Sequence, residues 1–231
     1  MKIDKKKYFL GGMALCVVLL FCLQVRKGGN MTVKQVDNER AFVSREEQKK
    51  IALTFDDGPS ALMTPQLLDG LKERKVVATF FVLGKAAEQN PELILRMKEE
   101  GHLIGNHTYH HVQLTAVSEA VFKEEIRQTN EVLKQITGEE PQFIRPPFGA
   151  WRKSLEKELG MIPVLWDVDP LDWCRGDCAC IVEKVMTDVE ENAIILLHDQ
   201  YESSVTAAFQ IIDRLKEKGY EFVTVEELIL N

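Results

Sequence analysis

The chain has 231 residues, 45% of them hydrophobic, which is enough to bury a full core in one main domain. Its formal net charge of −7 excludes the basic footprint of a nucleic-acid binder, so no nucleic-acid partner is expected.

The N-terminus departs from this average. Lys2, Lys5, Lys6 and Lys7 precede an almost uninterrupted apolar run of 18 residues, Tyr8 to Val25. A bilayer-spanning helix needs about 17–25 such residues, whereas the apolar core of a cleaved signal has about 7–15. No small-x-small cleavage site follows the run, and neither Cys16 nor Cys22 has a small residue just before it. The predicted arrangement is an N-terminal transmembrane helix, a basic stub held in the cytoplasm and the bulk of the chain outside. Secretion after signal cleavage is the alternative. The predicted divisions are 1–25 (stub and membrane anchor), 26–48 (a polar linker) and 49–231 (the functional domain).

From Lys49 onward, strand and helix patterns alternate. Apolar, β-branched runs occur at 51–55, 76–82, 102–106, 142–144, 162–166, 193–197 and 221–225. Between them, Phe122, Ile126, Leu133 and Ile136 return to one helical face. Thr64 with Pro65, and Asn90 with Pro91, read as helix starts, while Gly101 and Gly219 read as stops. Seven strands alternating with helices predict an α/β fold with a mostly parallel sheet. Short, evenly spaced strands fit a barrel or nearly closed barrel better than an open doubly wound sheet. No glycine-rich phosphate loop follows the first strand.

Polar motifs sit at successive strand ends: "FDDGP" after the first, "HTYHH" after the third, "RPPFG" after the fourth, "DVDPLDW" after the fifth and "HD" after the sixth. All of them would open on the C-terminal face of a parallel barrel, where such folds build active sites. His107 and His111, four apart, can offer two imidazoles to one divalent metal; His110 with His107 is a rival pair. A carboxylate from the first strand end would complete an Asp-His-His set and leave a coordination position open.

Together, "TFDDGP", "HTYHH", "RPPFG", "DPLDW" and "LLHD", with the closing "GYEFVTVEEL", resemble the motifs of the NodB-type polysaccharide deacetylases, carbohydrate esterase family 4, over roughly residues 49–230. The resemblance implies a distorted (β/α) barrel of about seven strands and metal-dependent removal of N-acetyl groups from N-acetylglucosamine-type sugars in a polysaccharide such as peptidoglycan or a chitin-like polymer. It implies Asp56 as general base, and Asp57, His107 and His111 as metal ligands, which selects His111 over His110. Arg145 would orient the base, Asp172 would tune His198, and His198 would be the general acid. The Phe148 main-chain N–H would face the oxyanion, and Trp173 and Leu196 would wall the acetyl pocket. Zinc is the default cofactor for such a ligand set, with Co2+, Ni2+ or Mn2+ as alternatives. The expected partners are a polysaccharide substrate and, through the N-terminal helix, the cell membrane; no protein partner is read from the sequence.

Other readings of the same residues stand beside these. Arg145 before two prolines can be a surface arginine on a stiff turn. Asp167 or Asp169 can take the place of Asp172, and Asp199 can cap the following helix. His102 and His110 read as non-catalytic. Cys174, Cys178 and Cys180 crowd behind Trp173, where an oxidising compartment favours one disulfide. The competing functions are an O-acetyl esterase on acetylated polysaccharide and a carbohydrate-binding pseudo-enzyme.

Overall fold

The computed structural model describes residues 49–174 and 176–230. The predicted membrane anchor and linker lie outside them. Among the described residues no helix is long and apolar enough to cross a membrane.

The elements run in chain order as β1 (Lys49–Asp56), α1 (Met63–Arg74), β2 (Thr79–Val82), α2 (Gly84–Gln89), α3 (Pro91–Glu99), β3 (Leu103–Asn106), α4 (Glu119–Thr137), β4 (Phe143–Ile144), α5 (Glu156–Leu159), β5 (Ile162–Pro163), α6 (Cys178–Asp188), β6 (Ile194–His198), α7 (Glu202–Glu217), β7 (Tyr220–Val223) and α8 (Val225–Leu230). All strand pairings are parallel, in the order β5-β4-β3-β2-β1-β6, with β7 against the first half of β1. The seven predicted strands are therefore present, arranged as a curled sheet.

Successive side chains of a strand point to opposite faces, and this alternation divides the core. Ile51, Leu53 and Phe55 of β1, with Phe80 and Val82 of β2, join the apolar faces of α1, α3, α6 and α7 in the largest buried cluster. Ala52 and Phe81 point the other way, into the curl, with Phe143 and Val164. Thr54 and Asp56 share this inward parity, and both are buried. The concave side thus becomes polar toward the C-terminal end of β1.

Among the described residues the sheet is not closed by paired strands. Pro146 and Pro147 follow β4, and Pro163 lies within β5; proline has no N–H to give a ladder, so each strand stops after two residues. An irregular segment spans the seam instead: Val168 bridges Ile195 of β6, and Leu196 N–H donates to the Val168 carbonyl at 2.9 Å.

Helix ends follow the sequence in most places. Ser118 caps α4 through its side chain, and Gly138 ends that helix in the left-handed conformation. Thr64 does not cap α1 as expected. The flanking residue is Leu62, and the Thr64 hydroxyl instead accepts from Ser60 N–H and donates to the buried Asp199 carboxylate.

Candidate active site

The ends of β1, β3, β4 and β6 converge on one cleft of about 460 Å³, lined by Asp56, Asp57, His107, His111, Phe148, Trp166, Asp169, Leu171, Trp173, Leu196, His198 and Tyr201. Every sequence-predicted site residue except Arg145 and Asp172 lines it, and those two lie immediately behind Asp56 and His198.

Arg145 is fully buried, which removes the surface-turn reading. Its guanidinium donates to Asp56 Oδ1 at 2.8 Å, Thr54 Oγ1 at 2.6 Å and the carbonyls of Val164 and Leu165 at 3.3 and 3.0 Å. The planar head lies over Phe81, 4.3 Å from the ring centre. Burial pulls its pKa down, opposed by the neighbouring Asp56, but an arginine so placed keeps its charge. Asp56, also buried, therefore has a fixed cationic partner on one oxygen. Its other oxygen, Oδ2, lies 3.7 Å from His107 Nε2.

Asp57 turns away from the strand with φ +73°, a left-handed conformation an aspartate tolerates better than most residues. This separates two adjacent carboxylates into different surroundings. Asp57 Oδ1 lies 3.4 Å from His107 Nε2 and 3.3 Å from His111 Nε2. It is buried and has no hydrogen-bond partner. Burial alone would raise the Asp57 pKa, but the imidazoles of His107, His111 and His198 hold it below the ordinary range.

His107 Nδ1 faces the Arg145 carbonyl at 2.7 Å. A carbonyl only accepts, so Nδ1 carries a proton and Nε2 is the ring nitrogen that faces Asp57. Burial lowers the His111 pKa against the field of Asp57, which favours a neutral ring there. One carboxylate oxygen and two imidazole nitrogens, all within 4.8 Å of one another, form the metal-capable group found among the described residues. An orphaned buried carboxylate oxygen facing two such imidazoles fits a divalent cation.

On the opposite wall, His198 Nδ1 meets Asp172 Oδ1 at 2.7 Å, and His198 N–H donates to Asp172 Oδ2 at 2.8 Å. Burial works against the charged ring, but Asp172, joined by Asp56 and Asp57, raises the His198 pKa overall. Asp172, and not Asp167 or Asp169, is the carboxylate in contact with His198. Asp167 accepts from Ile194 N–H and Asp169 from Leu171 N–H, each holding local backbone.

Trp173, 54% exposed, and Leu196, buried, both face the cleft. Phe148 stands on the rim at φ +60°, with its ring 4.9 Å from that of His111. Two expectations need correction. Cys174 and Cys178 carry free thiols, so the disulfide expected in this cluster is not formed; Cys178 instead meets the Gln210 amide. Asp199 does not cap α7, whose flanking residue is Tyr201. It is fully buried behind Gly58, and burial raises its pKa to about 7. Tyr201, Trp166 and Leu171 line the cleft without having been singled out; only their nearness to the motifs could have pointed to them.

The sequence profile of the polysaccharide deacetylases matches residues 44–164. The chain belongs to this family. Among polysaccharide deacetylases of known activity it is similar to the peptidoglycan-N-acetylmuramic acid deacetylase PdaC of Bacillus subtilis, 43% identical over 181 residues, covering 78% of this chain and 39% of that protein. The peptidoglycan-N-acetylglucosamine deacetylase PgdA of Listeria monocytogenes is 42% identical over 180 residues, with the same two coverages. The chain thus spans about two fifths of the length of these relatives, 39% in each case. The solved structure of the B. subtilis peptidoglycan deacetylase PdaC superposes with a TM-score of 0.77 at 43% identity, covering 79% of this chain and 90% of that one.

Proposed function

We propose that this polysaccharide deacetylase domain removes N-acetyl groups from the amino sugars of a cell-wall polysaccharide, with a divalent metal, zinc by default, held by Asp57, His107 and His111. The observation that carries the reading is the orphaned Asp57 Oδ1 facing two imidazole nitrogens, between Asp56 on one wall and His198 on the other.

A bound cation would polarise the acetyl carbonyl and acidify a water. Asp56, oriented by Arg145, is placed to take the proton of the attacking water. The Phe148 backbone N–H is the candidate donor to the developing oxyanion. An amine leaves poorly unless protonated, and His198, held by Asp172 and kept protonated to higher pH, is the acid on that side. Trp173 and Leu196 offer apolar surface for the acetyl methyl. Peptidoglycan as substrate is supported by the relatives, one named for N-acetylmuramic acid and one for N-acetylglucosamine. The apolar run Tyr8 to Val25, preceded by lysines, supports a membrane-anchored domain acting outside the cell.

Mass spectrometry of peptidoglycan fragments after incubation with protein and zinc tests the reading. Loss of acetyl from amino-sugar nitrogen is expected. Release from O-acetyl groups alone would favour the esterase, and no release from either would favour a binding role.

A further inference from the structure

The loop between β3 and α4 carries both candidate metal-ligating histidines, and its conformation is unfavourable in isolation. Thr108 and His111 have φ of +68° and +61°. Left-handed backbone costs on the order of 1–3 kcal/mol at a non-glycine residue and persists only where the surroundings impose it. The side chain of Glu125, in α4, meets the segment between those two residues.

Glu125 is buried. Its Oε2 accepts from the backbone N–H of Tyr109 at 3.0 Å and of His110 at 2.8 Å, and its Oε1 meets His110 Nδ1 at 2.9 Å. Two consecutive amides aimed at one carboxylate oxygen form an anion-binding concavity, filled here from within the fold. The near end of the loop has a separate anchor: Asn106 Oδ1 accepts from Thr108 N–H at 2.7 Å. His107, directly after β3, is fixed further by the Arg145 carbonyl. His111 lies beyond the left-handed turn, and its side chain is 32% exposed. Its approach to Asp57 therefore depends on the path of residues 108–110.

We propose that Glu125 is a positioning residue for the metal centre: its carboxylate holds the 108–111 turn in the conformation that brings His111 beside His107 and Asp57. The proposal rests on reading those three residues as the metal site. Without the carboxylate, two part-buried amides lose their acceptor, and only the bonds from Gly84 N–H to the Thr108 carbonyl (2.9 Å) and from Lys85 N–H to the Tyr109 carbonyl (3.3 Å) remain on the turn from α2. The third ligand then drifts while the first two stay in place.

The test is zinc affinity by competition with a chromophoric chelator, on protein whose metal-free form is shown folded by circular dichroism. Glu125→Ala should bind zinc about 10–100-fold more weakly, the usual effect of removing a group that orients a ligand, and Glu125→Gln, whose amide oxygen can still accept from both N–H groups, should lose less. Saturating zinc should return the Glu125→Gln turnover number close to that of the unaltered protein. His110→Ala, which keeps both amide bonds, should retain affinity within about threefold, well inside the range expected for a lost orienting group. Unchanged affinity in both Glu125 variants would overturn the proposal. So would a loss that only tracks the unfolded fraction of metal-free protein. If His111→Ala binds zinc as tightly as the unaltered chain, the metal site itself falls, and the proposal with it.

Discussion

His107 Nδ1 lies 2.7 Å from the carbonyl oxygen of Arg145, and this one contact ties the two halves of the cleft together. The backbone of Arg145 sets the tautomer of a candidate metal ligand. Its side chain holds the candidate base, Asp56, at 2.8 Å. The two functions separate on mutation. Arg145→Ala keeps the carbonyl but leaves Asp56 as a buried carboxylate without its cation. Urea unfolding should show a loss of about 3–5 kcal/mol, typical when one partner of a buried pair is removed. Activity should fall more than zinc affinity.

Gly58 is a position where only glycine fits. A Cβ there would meet the Asp199 carboxylate oxygens at 2.2 and 2.4 Å. Asp199 is in turn held by Thr64, so the clash cannot be relieved by one free side chain. Gly58→Ala should cost about 1–3 kcal/mol by overpacking. It should also weaken zinc binding, because the displaced residue follows Asp57 directly. Thermal unfolding with and without zinc reads both effects.

The His198–Asp172 pair sets a pH dependence of defined sign. The His198 pKa is raised in the folded chain above its ordinary value near 6.5. Its contribution to stability is therefore fully present below about pH 6.5 and is lost as pH rises through the raised value. Asp172→Asn should show its largest stability deficit in acid and a smaller one in alkali. The alkaline limb of its pH–rate profile should also move to lower pH. A deficit that grows with pH would contradict the assignment.

His102 has the opposite sign. It is buried, accepts from Ala78 N–H at 3.1 Å, and burial lowers its pKa to about 4. The unfolded chain takes up a proton near pH 6.5 that the folded chain refuses. Stability should fall between about pH 6.5 and 4, by on the order of 3 kcal/mol in all. His102→Asn, which can keep the acceptor, should flatten this part of the stability curve in urea titrations. Parallel curves would refute the role.

The strands and the strand-end location of the site were legible because hydrophobic alternation and punctuating motifs are local signals. The proposed division of labour between Asp56 and Asp57 comes only from the family resemblance. The left-handed backbone at Asp57, which adjacent residue identities do not announce, is what gives the two carboxylates different surroundings. Glu125 and Asp199 were not legible. A glutamate on a helix and an aspartate before one look like solvated or capping groups, and only tertiary packing buries them against the 108–111 turn and Gly58. Prolines at 146, 147 and 163 were visible, but their effect of cutting β4 and β5 to two residues each depends on their partners across the sheet.

The most direct test of a metal-assisted deacetylase with unlike roles for Asp56 and Asp57 is acetate release from N-acetylglucosamine oligomers by chelator-treated protein as zinc is returned. Activity should vanish on chelation and recover as zinc fills one site per chain. Asp56→Asn should still bind zinc but turn over about 10²–10⁴-fold more slowly, the usual contribution of a positioned base. Asp57→Asn should need far more zinc to recover any rate. Full activity in metal-free protein, or an Asp56→Asn variant that loses zinc while Asp57→Asn keeps both zinc and rate, would contradict the account.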